Sequence, residues 1–280
     1  MAVSIGIEYA TSAWRTCLVE DDMVLECRSF DEVTVLEHYL QQTCGCYPEM
    51  SIGLAAPYET RLSLVSRESL ETSPLPAFLA TLSSLSHRVF VLPSLRYLPT
   101  VPPYRLLMRP RLGLADMLCV VALLLYHMRR QDAGWSELNF CCLELRETSY
   151  RLTVLRNGQI VDGYGEWVAL DGPADQMEQA LLEQLTRDLA ATLALHQLED
   201  VVLLSRAAPE RKERVLEYFE DRYQFFLFPH SETEPAGFEV ARGAALLAHG
   251  LSWSGLTLEV AQRLFATTAH AYGLNQHGQG

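Results

Sequence analysis

The chain opens with short apolar runs broken by polar turns. Val3 to Ile7 predicts a strand and Trp14 to Val19 a second, with Glu8 to Ala13 as the polar turn between them. Glu20-Asp21-Asp22 makes the next turn, and Met23 to Arg28 is a third strand. The period then changes. Over Phe30 to Gln42 the apolar residues Val33, Leu36 and Leu40 recur at helical spacing. Ser51 to Ala55 reads as a short buried strand ending at Pro57, Phe78 to Leu85 as a helix and Val89 to Leu92 as a strand. Pro93 to Pro110 carries five of the 13 prolines, at 93, 99, 102, 103 and 110, and is expected to be extended or looped rather than helical. A helix is predicted from Gly113 to Arg130. Asp116 in its first turn and Arg129-Arg130 in its last suit the helix dipole.

The second half repeats this plan. Phe140 to Leu145 and Tyr150 to Arg156 read as strands, Asn157-Gly158 as a two-residue hairpin turn, and Gln159 to Tyr164 as the returning strand. A long helix follows from Gly172 or Asp175 to Leu195, with Leu181, Leu182, Leu185, Leu189 and Leu193 on one side. Val201 to Leu204 is the next strand, Glu210 to Arg222 a helix, Phe225 to Phe228 a strand and Val240 to His249 a helix, before a polar tail from Asn275. A hairpin-rich sheet followed by helices therefore occurs twice, a pattern that several α/β folds share.

At 280 residues, about half of them hydrophobic and a fifth charged, the chain can bury a large core in one domain or two lobes. Its longest apolar stretch, Leu118 to Tyr126, is too short to cross a bilayer, and Met-Ala-Val-Ser-Ile-Gly has no basic leader region. A net charge of −13 argues against binding nucleic-acid phosphates. Lys212 is the only lysine, and no GxxxxGK[ST], GxGxxG, GxSxG or HExxH occurs. Walker-type, Rossmann-type, Schiff-base, serine-hydrolase and zinc-protease chemistries thus have no support. The seven cysteines show no zinc-ligand spacing and read as reduced thiols of a cytoplasmic protein.

Three features can carry chemistry. The first turn, Glu8-Tyr9-Ala10-Thr11-Ser12, sets a carboxylate at a strand end before two hydroxyls. Such a turn can hold metal-bound waters and meet phosphate oxygens, although an ordinary exposed turn looks the same. Glu144-Leu145-Arg146-Glu147-Thr148-Ser149 stands at the matching place in the second half. There Arg146 can contact phosphate or pair with Glu144 or Glu147. The helix Gly237 to Leu251, with Gly243, Ala244 and Ala245, admits close backbone approach, either beside an adenosine or in plain helix packing.

A family resemblance rests on Leu95-Arg96-Tyr97-Leu98-Pro99-Thr100-Val101-Pro102-Pro103-Tyr104-Arg105 and on Arg109-Pro110-Arg111-Leu112-Gly113-Leu114-Ala115-Asp116-Met117-Leu118-Cys119. These segments resemble the signature of the predicted butyrate kinases, H-L-P-T-V-P and then R-K-x-N-R-I-D-M-G-T-A-D-K-x-C. That family is similar in turn to the acetate kinase, sugar kinase, Hsp70 and actin superfamily. The order of the flanking features agrees, from the first hairpin through Asn157-Gly158 to the Gly-Ala-Ala helix. The departures are specific. Glu8 and Ala10 stand for Asp and Gly, Arg146 for a turn glycine, and Arg111, Leu114 and Met117 for Asp, Thr and Lys. Ser205-Arg206 lacks the glycine of a Ser-Gly-Arg turn.

The resemblance implies two actin-like (ribonuclease H-like) lobes with mixed sheets and a central cleft, divided as 1–112 and 113–280. It implies ATP and Mg2+ as cofactors and a nucleotide and a small carboxylate as partners. A homodimer is possible as well, and no nucleic-acid or membrane partner is expected. Catalysis would fall to Glu8, Asp116 and Arg111, with Glu8 organising the metal. Thr11, Ser12, Thr148, Ser149, Arg146, Gly243 and Ala244 would bind the nucleotide, with Arg105, Arg109 and Arg111 as substitute phosphate clamps. The Pro99 to Arg111 segment is expected along the cleft. An acyl-phosphate-forming kinase and an inactive pseudokinase stand nearly level, ahead of an actin-like scaffold. The lost glycines keep backbone N–H groups from crowding a phosphate, and the lost acid removes charge directed at the metal.

Overall fold

The computed structural model describes residues 2–9, 13–21, 23–65, 75–109, 111–168, 172–229 and 236–265. The chain forms two compact units. Unit 1 takes 1–99, 114–131 and 230–280, and unit 2 takes 100–113 and 132–229. The division is discontinuous, where the sequence suggested one break after residue 112.

Unit 1 begins with β1 (Val3–Tyr9), β2 (Trp14–Glu20) and β3 (Met23–Phe30), followed by α1 (Val33–Cys46), β4 (Ser51–Ala55), β5 (Ser63–Leu64), α2 (Pro76–Leu85) and β6 (Val89–Val91). It is completed by α4 (Ala115–Arg130), α7 (Glu239–Ser252) and α8 (Leu256–Phe265). Its sheet runs β3-β2-β1-β4-β6-β5. Unit 2 holds α3 (Tyr104–Met108), β7 (Phe140–Leu145), β8 (Ser149–Arg156), β9 (Gln159–Val168), α5 (Ala174–His196), β10 (Asp200–Ser205), α6 (Pro209–Phe219) and β11 (Gln224–Leu227). Its sheet runs β11-β10-β7-β8-β9.

Read from the third hairpin strand, both sheets have one order: two antiparallel pairings, then two parallel ones. β1 pairs with β2 and β2 with β3 antiparallel, and β4 lies parallel to β1 and to β6. β7, β8 and β9 pair antiparallel in the same way, and β10 lies parallel to β7 and to β11. The duplication seen in the apolar pattern is thus a duplication of mixed α/β sheets.

Strand alternation decides what covers each face. In unit 1, Val3, Ile5 and Ile7 of β1 and Ile52 and Leu54 of β4 bury against Leu36, Leu40, Phe78, Leu79 and Leu82 of α1 and α2. Each such side chain is worth about 1.5–3 kcal/mol on full burial. The intervening residues Ser4, Gly6, Ser51 and Gly53 are small, and Gly6 lies opposite Gly53 in register. A β-carbon on Gly6 would sit 1.8 Å from the Ala241 carbonyl oxygen, and one on Gly53 2.3 Å from that of Ala244. The paired glycines therefore open a groove that only a helix of small residues fits, and α7, buried from Glu239 to Leu251, fills it. In unit 2, Leu143, Leu145, Tyr150, Leu152 and Val154 pack against Leu181, Leu185, Leu189 and Leu193 of α5 and Val215 and Phe219 of α6.

The proline segment departs from expectation. It contains a 3-10 turn at Leu95–Tyr97 and the helix α3 at Tyr104–Met108. Proline is excluded from helix interiors but tolerated where a helix begins, because its missing N–H is unpaired there anyway. Pro103 caps α3, and Tyr104 to Met108 contains no proline. Neither β5 nor α8 was expected. The tail from Asn275 lies outside the described residues.

Candidate functional site

The two strand-end acids occupy equivalent places. Glu8 is the penultimate residue of β1 and pairs in register with Arg15 on β2 and Ala55 on β4. Glu144 is the penultimate residue of β7 and pairs in register with Arg151 on β8 and Leu204 on β10. Both are buried. A carboxylate is kept inside a protein only beside positive charge or hydrogen-bond donors.

In unit 1 the register partner of Glu8, Arg15, reaches the residues that lead into α7. Arg15 Nη1 donates to the Gly237 carbonyl at 2.8 Å, and its guanidinium lies 6.0 Å from the centre of the Phe238 ring. Gly237, at φ +90°, turns the chain into α7, and its N–H donates to Glu239 Oε1 at 2.9 Å. Asp116 stands in the first turn of α4, where its Oδ1 accepts from the Met117 N–H at 2.9 Å. Burial, with the charges of Asp116 and Glu8, pushes the Cys119 thiol well above its ordinary pKa. Both carboxylates therefore act on one buried sulfur. Thr11 and Ser12 lie outside the described residues, as does Ala10.

Gly243 and Ala244 have a packing role. A β-carbon at Gly243 would stand 1.9 Å from the Cys119 carbonyl oxygen, and Ala244 offers its carbonyl to the Gly53 groove. Both residues are used in holding α7 against α4 and the sheet.

In unit 2 the turn between β7 and β8 is closed on itself. Arg146 donates to Glu144 Oε1 from Nε at 3.0 Å and from Nη2 at 2.8 Å. Arg206 Nε lies 3.5 Å from the same oxygen, and Arg151 Nη1 3.9 Å from Oε2. Glu166 adds a second acid, accepting from Ser149 Oγ at 3.0 Å and lying 3.6 Å from Arg146 and 3.7 Å from Arg151. Glu147 reaches the start of α6. Its Oε1 accepts from the Ala208 N–H at 2.6 Å, and its Oε2 lies 3.4 Å from Arg211 Nε. Thr148 is exposed at the turn. Of the two partners considered for Arg146 in the sequence, the structure shows Glu144.

The remaining arginines are placed by backbone and by a buried acid. Arg111 is exposed, and its carbonyl accepts from the Gly165 N–H at 3.0 Å. Arg105 and Arg109 of the proline segment reach Asp162 on β9, at 3.2 and 3.5 Å from Oδ2. His196, the last residue of α5, meets the same oxygen at 3.0 Å. Burial pulls the Asp162 pKa up, but the His196 hydrogen bond, both guanidiniums and the Gly163 N–H outweigh it and hold the carboxyl below its ordinary value. Arg105 and Arg109 thus anchor the proline segment to β9.

Sequence reasoning missed Arg151, Arg206 and Glu166 as neighbours of Glu144. A signal existed, because Glu8 to Arg15 and Glu144 to Arg151 have the same spacing, as a repeated hairpin requires. Among the described residues no three His, Cys, Asp or Glu side chains converge as a metal site, and no helix is long and apolar enough to cross a membrane.

Known proteins resemble the chain mainly in fold. A family model described as a protein of unknown function, DUF1464, matches residues 56–178. No curated protein matches. Among solved structures, a Listeria monocytogenes protein proposed to be an N-acetylmannosamine kinase superposes with a TM-score of 0.57 at 9% identity, over 88% of this chain and 98% of that one. Acetate kinase from Entamoeba histolytica superposes with a TM-score of 0.52 at 7% identity, over 79% and 87%. The ROK hexokinase from Thermus thermophilus gives 0.50 at 12% identity, over 87% and 97%. Such low identities establish the fold alone. The chain has the mixed α/β, actin-like ATPase fold that these kinases share.

Proposed function

We propose that the chain is a relative of the actin-like carboxylate kinases that binds nucleotide weakly and in which phosphotransfer is very weak or lost. One observation carries this reading. The second turn meets its own anion-binding positions with its own acids. Glu144 sits among Arg146, Arg151 and Arg206, and Glu147 caps the start of α6, where a helix N-terminus would otherwise receive phosphate. A triphosphate arriving there must displace the ion pairs of the buried Glu144, and leaving a buried charge unpaired costs about 3–5 kcal/mol. Arg146 also stands where the resembled family keeps a glycine, so a side chain fills space that a phosphate oxygen would need.

A second reading, an active kinase for a short-chain carboxylate, has its own support. Glu8 and Asp116 are two acids of unit 1 whose charges both act on Cys119. Mg2+ is ordinarily held by one or two carboxylates and several waters, so carboxylates such as these have the chemistry that ion takes without a larger cluster. Bound Mg2+ would supply charge neutralisation for phosphates, while Glu8 and Asp116 would position its waters.

The two readings separate in a hydroxamate assay with ATP, Mg2+ and a panel of short-chain carboxylates, run beside calorimetry of ATP binding. We expect weak ATP binding at most and no hydroxamate above background. Turnover near the enzyme median of about 10 per second would overturn the proposal. In that event Glu8→Gln and Asp116→Asn should each abolish it.

A further inference from the structure

Cys17 on β2 and Cys27 on β3 are cross-strand neighbours, opposite one another in register. Their Sγ atoms lie 3.4 Å apart, in hydrogen-bond contact. Directly opposed residues of an antiparallel pair have Cα atoms about 4.5–5.5 Å apart, inside the range a disulfide spans. The two sulfurs can close to a bond length of about 2.05 Å by side-chain rotation, without moving the strands.

The two positions differ in access. Cys17 is fully buried in a small cluster with Val19, Ala241 and Ala245, beneath α7. Cys27 is only partly buried on β3, the edge strand of the sheet. Among the other cysteines, Cys44, Cys119, Cys141 and Cys142 are buried and far from a partner strand position of this kind, and Cys46 is exposed. The Cys17 hydrogen bond, with the charge of Arg242 on α7, holds the Cys27 thiol below its ordinary pKa against the effect of burial. The hydrogen bond with Cys27, burial and the Cys27 charge hold Cys17 above its own, against the charge of Arg242. The pair therefore has the arrangement of an accessible attacking thiol backed by a protonated resolving one.

We propose that Cys17 and Cys27 form a reversible redox-modification site, closing to a disulfide when the protein meets a peroxide. Hydrogen peroxide oxidises the Cys27 thiolate to a sulfenic acid and releases hydroxide. The Cys17 sulfur then attacks Cys27 Sγ, forming the S–S bond. The sulfenic oxygen leaves as water with the Cys17 proton. In sum, two thiols and one peroxide give one disulfide and two waters. Two equivalents of a small thiol such as glutathione reverse it and leave as their own disulfide. The new bond staples β2 to β3 under α7.

The sequence allows a direct test, because trypsin cuts after Arg15 and after Arg28. The fragment Thr16 to Arg28 then carries both cysteines and no others. The intact protein is treated with hydrogen peroxide, alkylated, digested and weighed. The expected result is this fragment unalkylated and lighter by two hydrogen atoms, returning to the doubly alkylated form after dithiothreitol. In Cys17→Ala, Cys27 should instead accumulate as a sulfenic acid that a dimedone probe labels. The proposal fails if the fragment stays doubly alkylated under conditions that oxidise Cys46. It also fails if Cys27 is oxidised in the unmodified sequence while Cys17 remains open to alkylation after unfolding.

Discussion

Asp162 is fully buried and faces two arginines and a histidine. Its carboxyl titrates below the ordinary value of 3.8 in the folded chain. A depressed folded pKa contributes stability that is fully present above the unfolded value and lost as pH falls through the folded one. Urea unfolding from pH 7 down to pH 2 should show unit 2 weakening progressively below about pH 4. Asp162→Asn leaves Arg105 and Arg109 facing a neutral amide and should cost about 3–5 kcal/mol at pH 7. The gap from the parent should narrow in acid, where the parent also loses the charge. A gap that stays constant across that range would show that Asp162 acts by shape and not by charge.

The helix α7 depends on the two glycines beneath it. Gly6→Ala places a methyl group 1.8 Å from the Ala241 carbonyl, a contact neither backbone can yield. Overpacking of this kind costs about 1–3 kcal/mol and at times more, and here the upper end or loss of folding is expected in urea titrations. Gly45→Ala is the natural control. Nothing lies within 4 Å of its added methyl group, and it sits inside α1, so a gain of about 0.5–1 kcal/mol is expected. How much of these elements was legible follows from the same physics. Asn157-Gly158 marked its hairpin because both residues take positive φ, at 51° and 70°, which few residue types tolerate. Long amphipathic helices such as α5 were equally plain. β5, of two residues, is too short to carry a period, and α8, although Val260, Ala261, Leu264 and Phe265 recur at helical spacing, follows α7 with only Trp253 to Gly255 between them. The site was half legible. Glu8 and Glu144 stood out as strand-end acids. Arg206 and Glu166 became neighbours of Glu144 only through sheet order and register, which no local pattern encodes.

On the scale of the molecule, unit 1 is assembled from three separate stretches of chain. Its α1 and α2 face is local, but the face over Gly6 and Gly53 waits for α7. A fragment comprising residues 1–229 lacks that helix yet keeps every element of unit 2. Hydrogen exchange on this fragment should find β7 to β10 protected and β1, β2 and β4 largely unprotected. Equal protection of both sheets would show that unit 1 closes without α7. The net charge of −13 offsets the aggregation risk of the bared groove only in part, since its floor carries no charge.

The late position of α7 also has a consequence during translation. A ribosome adds roughly 5–20 residues per second, so the second sheet is made and free to fold while the first still lacks its cover for some seconds. The strands emitted first are the last to be sealed. Any cellular factor that shields nascent chains would therefore find its longest-lived target in β1, β2 and β4, and slowing synthesis between β7 and α7 would lengthen that exposure.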